Sequence, residues 1–184
     1  SIATLALRSM PNGSDAPCWA SLMANRIFCA ALRGDSTVSD SLLGVLLTHH
    51  GQRRDAEACL AYCKAGEGWY RRSHIARAER LLDSAVVLGH RGGNAVALAN
   101  ALCSRASLAL DVETPEKAVA MNMEALLALG TTPADTAVLI RLYSNLGHAH
   151  GWPGALDSAV HYHLRAIDLL NIVPNDQKLA WNRM

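Results

Sequence analysis

Aromatic side chains are scarce in this sequence, with one Phe in 184 residues and only 5% Phe, Trp and Tyr together. A core built on large rings is therefore excluded. Val and Ile are few and rarely alternate with polar residues, so no strand pattern appears. Neither sign of charge is in surplus: 17 basic residues stand against 16 acidic ones, for a formal charge of +1. That balance argues against a broad nucleic-acid-binding face, which must displace counterions with a basic patch. The pairs Arg53-Arg54 and Arg71-Arg72 read as solvated helix ends. No uninterrupted apolar run reaches the ~18 residues of a membrane span, and no signal peptide is visible.

Disulfide parity is missing too. Cysteines stand at 18, 29, 59, 63 and 103, an odd number. Cys59, Cys63 and Cys103 fall inside apolar helical stretches, which reads as reduced, buried thiols in a cytosolic protein. Motifs of catalysis are absent as well. Gly66-Glu67-Gly68 is not followed by the Lys-Ser/Thr of a phosphate loop. There is no Gly-x-Ser-x-Gly elbow and no Glu-x-x-His metal motif. Carboxylates such as Asp55, Glu79 and Glu116 are scattered over solvent-facing positions. The expectation is a non-enzyme with no cofactor and no metal.

What is present is alanine and leucine. Apolar residues make up 51% of the chain, enough for a large core and against disorder. Small apolar residues in excess favour helices packed closely. Helix signals recur at short intervals. Asp15 and Pro17 open a run closed by Gly34, and Ser36 or Thr37 caps a second run closed by Gly51. A third spans Arg54 to Gly66 or beyond. Ser73 caps a fourth, ended near Gly92. Asn94 to Leu110 follows. Thr114, Pro115 and Glu116 open a sixth, stopped by Gly130. Thr132-Pro133 opens one that runs to Gly151, and another runs from Ala155 to about Asn171. Links of a few residues make sequential helices antiparallel neighbours. The chain starts at Ser1, and its last residues resemble the opening of another helix. Both ends read as an excised piece of a longer protein.

The helices repeat. Ala78 and Ala85, Ala118 and Ala125, and Ala159 and Ala166 are pairs seven apart, two helical turns on one stripe. Twelve residues before each pair stands a small residue: Gly66, Ala106, Gly147. Four before that is a larger one: Tyr62, Leu102, Tyr143. Three after the small residue comes Trp69, Ala109, His150. A fainter earlier copy places Val38 and Val45 near Trp19 and Leu22. The period is 40–41 residues.

Tyr143-x2-Leu146-Gly147-x2-His150, then Ala159-x3-His163, resembles the tetratricopeptide pattern of large-x2-Leu-Gly-x2-aromatic, then Ala-x3-aromatic. Arg105 stands in the Leu slot of the middle copy and Asn122 in its second aromatic slot. The long period is similar to the sensor arms of MalT-like, LuxR-type ATP-dependent bacterial transcription activators. The resemblance implies an all-α, right-handed α-solenoid of about four antiparallel hairpins. Residues 1–55 would hold degenerate N-terminal hairpins, 56–174 three repeats, and 175–184 the start of a further or capping helix. Gly147, rather than Gly68, is expected where two helices cross.

In such an array the first helix of each pair lines the concave side, where partners bind. Cys63, Glu67, Tyr70 and Arg71 should point there, as should Cys103, Ser107 and Asp111, and Ser144, His148 and Trp152. Asn100 and Arg141 begin the same stripe. Arg71 and Arg141 can receive a carboxylate or phosphate, and Tyr70 and Trp152 can stack on a sugar or an apolar peptide. Arg141 is expected to be replaceable by Glu without loss of the fold. His150 and His163 should face each other, and a metal or pH role for His148, His150, His161 and His163 stays open. The resemblance implies a sensor or docking arm that binds a small-molecule inducer, such as an oligosaccharide, or a protein partner. The parent's other domains are further partners, with no direct nucleic-acid or membrane contact. Apolar faces at the array's ends leave room for a homo-oligomer. The alternative is a peptide-binding adaptor.

Overall fold

The computed structural model describes residues 19–50, 55–130 and 136–172, and every regular element among them is an α-helix. Eight helices follow one another: α1 (Trp19–Arg33), α2 (Ser36–His50), α3 (Asp55–Arg71), α4 (Ile75–Gly92), α5 (Ala95–Val112), α6 (Pro115–Leu129), α7 (Thr136–Gly151) and α8 (Leu156–Ile172). Each consecutive pair packs together as a hairpin. The first helices α1, α3, α5 and α7 also pack side by side, while the second helices barely touch one another. The second helices α2, α4 and α6 rest instead on the first helix of the next hairpin. This is an α-solenoid: the helices of each hairpin pack against those of the adjacent hairpins, and the closely packed first helices form its inner side.

Helix boundaries follow local chemistry. Asn94 caps α5, its side chain accepting from the Ala97 N–H at 3.0 Å. Thr114 does the same for α6, with Pro115 at the first helical position. These caps satisfy backbone donors that have no partner in the first turn. Two expected caps are corrected. Asp35, not Ser36 or Thr37, accepts from the Val38 N–H at 2.9 Å and caps α2. Ser73 ends α3 rather than starting α4. It has φ 61°, and its N–H bonds the Tyr70 carbonyl at 2.8 Å. It takes the left-handed conformation that glycine usually supplies at a helix C-terminus. The openings assigned to Asp15, Pro17 and Thr132-Pro133, the Gly51 stop and the run from 175 lie outside the described residues.

The repeat register appears directly in burial. Ala78, Ala85, Ala118 and Ala125 are completely buried, and Ala159 and Ala166 nearly so. A Cβ added at Gly66 would stand 2.6 Å from the Leu82 side chain, and one at Gly147 would stand 2.5 Å from the His163 ring. Glycine therefore gives up helix propensity, roughly 1 kcal/mol against alanine, so that two helices can approach. The expectation about Gly68 is overturned. A Cβ there would lie 2.6 Å from Ala31 Cβ and 3.0 Å from the Phe28 carbonyl oxygen. Gly68 sits at the crossing of α3 with α1, a contact between hairpins.

The first hairpin deviates from the expected copy. Its buried stripe on α2 is Ser39, Leu42, Leu43 and Leu46, one residue beyond Val38 and Val45, which are only partly buried. Leu22 is exposed, and Met23 and Ile27 fill the core in its place. A shift of one residue turns a helix by about 100°, enough to move a side chain from rim to core. Helix α5 also departs from the reading of apolar runs. It is the one described helix long and apolar enough to cross a membrane, with mean hydropathy 1.3. Its place explains that composition, because α3, α4, α6 and α7 all pack around it.

Candidate functional site

The inner side of the array carries a ladder of polar side chains spanning α3, α5 and α7. Its centre is Glu67. Glu67 Oε1 accepts from Ser104 Oγ at 2.6 Å and from Arg141 Nη2 at 3.1 Å, while Lys64 Nζ donates to Oε2 at 2.9 Å. Arg141 Nη2 also donates to Ser104 Oγ at 2.8 Å, and Nη1 reaches Asn100 Oδ1 at 3.4 Å. One turn further along, Asn145 Nδ2 donates to Ser107 Oγ at 2.9 Å and to the Cys103 carbonyl at 3.1 Å. Beyond that, the Tyr70 hydroxyl donates to the Asp111 carboxylate. Apart from Lys64, on the same helix as Glu67, the partners lie 37–42 residues apart, or 74 for Glu67–Arg141. These are one or two repeat lengths, offset by up to one turn per repeat. Each rung is thus the repeat register written in polar residues.

The electrostatics follow from partial burial. Burial alone would raise the Glu67 pKa. Arg141 and Lys64, with the Ser104 hydrogen bond, more than offset that and hold the carboxyl at about 2. Arg141 is pushed upward although burial acts the other way, because Cys103, Glu67 and Cys63 surround it. Its side chain remains 40% exposed, against 15% for Glu67. Arg141 is a permanently charged group, braced on one side and open on the other. Burial pushes the Cys63 and Cys103 thiols up, so neither is a nucleophile, for which the thiolate is needed.

The structure brings together Cys63, Glu67, Asn100, Cys103, Ser107 and Arg141, and adds Tyr70 through Asp111. It also corrects several of the expected roles. Cys63 and Cys103 are buried and support the ladder from behind; they cannot present themselves to a ligand. Arg71 turns away toward α1, where its guanidinium lies 5.5 Å from the Phe28 ring centre. Ser144 is half-buried and makes no side-chain hydrogen bond among the described residues. His148 and Trp152 are exposed and continue the α7 stripe, Trp152 at 72%. Arg141→Glu would set a second carboxylate against Glu67, which adds a cost in stability to the expected effect on binding.

Three ladder residues escaped the sequence reading, Lys64, Ser104 and Asn145. They sit 40 and 41 residues apart, each one position after a residue that was chosen, Cys63, Cys103 and Ser144. The repeat spacing could have found them; the rotation of the stripe was misjudged by one residue.

The histidines pair differently from expectation. His148 meets His163 edge-on with ring centres 5.0 Å apart, and His150 stacks on Tyr162 at 5.3 Å. The His163 ring fills the space over Gly147, which turns it toward His148. Tyr162 then packs against Tyr143 and His150. Among the described residues no three His, Cys, Asp or Glu side chains come together as a metal site.

A second buried cation lies across α5 from the ladder. Arg105 is 8% exposed and bonds Asp83 at 2.7 Å and Glu79 at 3.0 Å on α4, with Glu113 at 2.5 Å. Nη1 and the enclosed Glu113 Oε1 form the third ion pair, and Lys117 Nζ holds Glu113 Oε2 at 2.8 Å. This cluster pins the end of α5 to the preceding hairpin.

The fold and ladder define a helical repeat protein with a polar inner face. No known protein family matches the sequence, and no curated protein matches it either.

Proposed function

We propose that this chain is a recognition module whose ligand or partner lies along the inner face of the first helices. The observation that carries this reading is the ladder itself: Arg141 is braced by Glu67, Ser104 and Asn100, yet its side chain stays open to solvent. A pre-positioned guanidinium recognises a carboxylate or phosphate without first being ordered. Asn145, His148 and Trp152 extend the same strip with hydrogen-bonding and stacking groups. In this reading, which rests on the resemblance to MalT-like arms, the parent would be a bacterial transcriptional regulator working in the cytoplasm, with tetratricopeptide-like hairpins as its sensor or docking arm. Binding would shift a closed assembly toward an active one, which requires unequal affinity for the two states.

The second reading is a peptide-binding adaptor. It draws on the length of the strip, which runs over three successive first helices, α3, α5 and α7, and suits an extended chain.

A thermal-shift screen against phosphorylated metabolites, sugars and small carboxylic acids tests the first reading. The expected result is a saturable stabilisation growing as RT ln(1 + [L]/Kd) and lost in Trp152→Ala. A flat screen with working controls would contradict a small-molecule sensor and favour docking of a peptide. The parent's full sequence separates the readings independently, because a regulator would carry a phosphate loop upstream and a helix-turn-helix downstream.

A further inference from the structure

Helix α8 exposes one apolar stripe. Leu156, Val160, Leu164, Ile167 and Leu170 recur at intervals of four, four, three and three residues, and all are exposed. A continuous apolar face of this kind marks a contact surface. Inside the array the same face is a joint. The buried alanines Ala85, Ala125 and Ala166 align the second helices, so Ile167 corresponds to Val86 and Leu126. Both of those pack into a core with the first helix of the following hairpin. The stripe on α8 is therefore built for packing, and among the described residues it is open.

The order of residues along α8 points to its occupant. About Leu164 the helix is close to a palindrome in chemistry. Val160 and Ile167 stand four before and three after it, His161 and Asp168 three before and four after, and Asp157 and Asn171 seven before and seven after. At about 100° per residue, Val160 and Ile167 lie along the middle of the stripe. Asp157, His161, Asp168 and Asn171, all exposed, lie along the border that contains Leu164. We propose that a second copy of this chain covers the stripe, with α8 packed antiparallel on the same helix of the partner in a symmetric dimer. A twofold axis at Leu164 brings like borders together. His161 can then donate to the partner's Asp168, a charge-assisted hydrogen bond, and the Asn171 amide to the partner's Asp157. Each contact occurs twice, as a closed twofold interface requires. A parallel pair would instead set Asp157 against Asp157 and Asp168 against Asp168. The five apolar residues leave roughly 500 Å² open on each copy, so a pair covers about 1,000 Å², the size at which a specific interface begins and one that suits a reversible dimer. Because α8 is a second helix, the dimer leaves the ladder on the first helices free.

The test is analytical ultracentrifugation of the 184-residue chain from low to high micromolar concentration. The mass should rise from monomer to dimer and stop there. Leu164→Asp should raise the dimer dissociation constant at least tenfold with an unchanged far-ultraviolet circular dichroism spectrum. His161→Asp should raise it by about tenfold, and adding Asp168→His, which restores the two cross pairs in reverse, should bring it back to within about threefold of the parent. In a Cys18→Ser, Cys29→Ser background, mild oxidation of Leu164→Cys should link two copies on a non-reducing gel. Arg165→Cys, which faces away from the stripe, should link at least tenfold more slowly. A chain that stays monomeric throughout, a mass that grows past two copies, or a dimer indifferent to Leu164→Asp overturns the proposal. If Leu164→Asp does not fold, the charge exchange decides: a dimer that the double variant fails to restore is not this antiparallel pair.

Discussion

Two arginines on neighbouring first helices meet their carboxylates in opposite ways. Arg105 is enclosed, 8% exposed, and holds three acidic partners. Arg141 is 40% exposed and holds one, Glu67, with the rest of its bracing from Ser104 and Asn100. Arg105 joins α5 to the helix before it and faces the outer, second-helix side. Arg141 reaches from α7 across α5 to α3 on the inner side. A saturated cation is architecture. A braced but open cation is a place where another molecule can bind. The lesson is that partner geometry and residual exposure, rather than residue type, separate the two roles.

The largest expected effect is on the enclosed arginine. Arg105→Ala should lower stability by about 3 kcal/mol, because it removes a buried side chain and leaves the enclosed Glu113 Oε1 without its cation, while Lys117 still holds Oε2. Urea unfolding measures this, and Glu113→Gln in the same chain should recover part of the loss. Both variants should leave binding along the inner face unchanged. If Arg105→Ala were silent, its three ion pairs would be ornament and the comparison would fail.

The ladder's own contribution depends on pH. The folded Glu67 carboxyl sits at about 2, below its ordinary value. Its stabilisation is therefore fully present above the unfolded pKa of about 4.3. It is lost as pH falls from about 5 toward 2, and amounts to about 3 kcal/mol. Urea midpoints measured across that window should show the decline, and Glu67→Gln should flatten that part of the curve. A wild-type slope retained in Glu67→Gln would assign the acid sensitivity to other carboxyls.

Arg141→Glu should cost about 2 kcal/mol, less than loss of Arg105 because solvent screens the new repulsion. Arg141→Gln should cost about 1 kcal/mol, near the value of an ordinary hydrogen bond, and is the variant to use in binding assays. Equal urea midpoints for the Glu and Gln variants would mean that Glu67 and Arg141 do not interact in solution.

The smallest contrast concerns two glycines at helix crossings. Gly68→Ala should cost about 1–3 kcal/mol by overpacking, since the Phe28 carbonyl and Ala31 Cβ block the new methyl group. Gly147→Ala meets only the end of the His163 side chain, which can rotate, so its cost should be under about 1 kcal/mol. Thermal melts of the two variants give the order directly, and a larger loss at Gly147 would mean that the His163 ring is locked.

Much of this architecture is legible in the sequence. Alanines seven apart mark the face of α4, α6 and α8, and Gly66 and Gly147 mark where the partner helix approaches. Asn94 and Thr114 announce their helices by side-chain chemistry alone. What stays hidden is rotation about the helix axis. Ser104 and Asn145 were passed over for Cys103 and Ser144 because one residue separates an inner-face position from a core position. Arg71 was misplaced because Phe28 lies in the most divergent hairpin, whose register the repeat pattern does not fix. Ser73 reads as a cap until its backbone is seen to turn left-handed. Arg105, which departs from the repeat pattern, shows its partners only when α4 and the end of α5 are brought together.

The central claim is that the first-helix face, and not the second-helix side, receives the partner. Amide hydrogen exchange tests it most directly, comparing the chain alone with the chain saturated by the strongest stabilising compound from the thermal-shift screen. The account predicts slowed exchange confined to the inner-face segments around Glu67, Ser104–Ser107 and Arg141–Trp152. Slowed exchange centred on α4 or α6, with those segments unchanged, would contradict it.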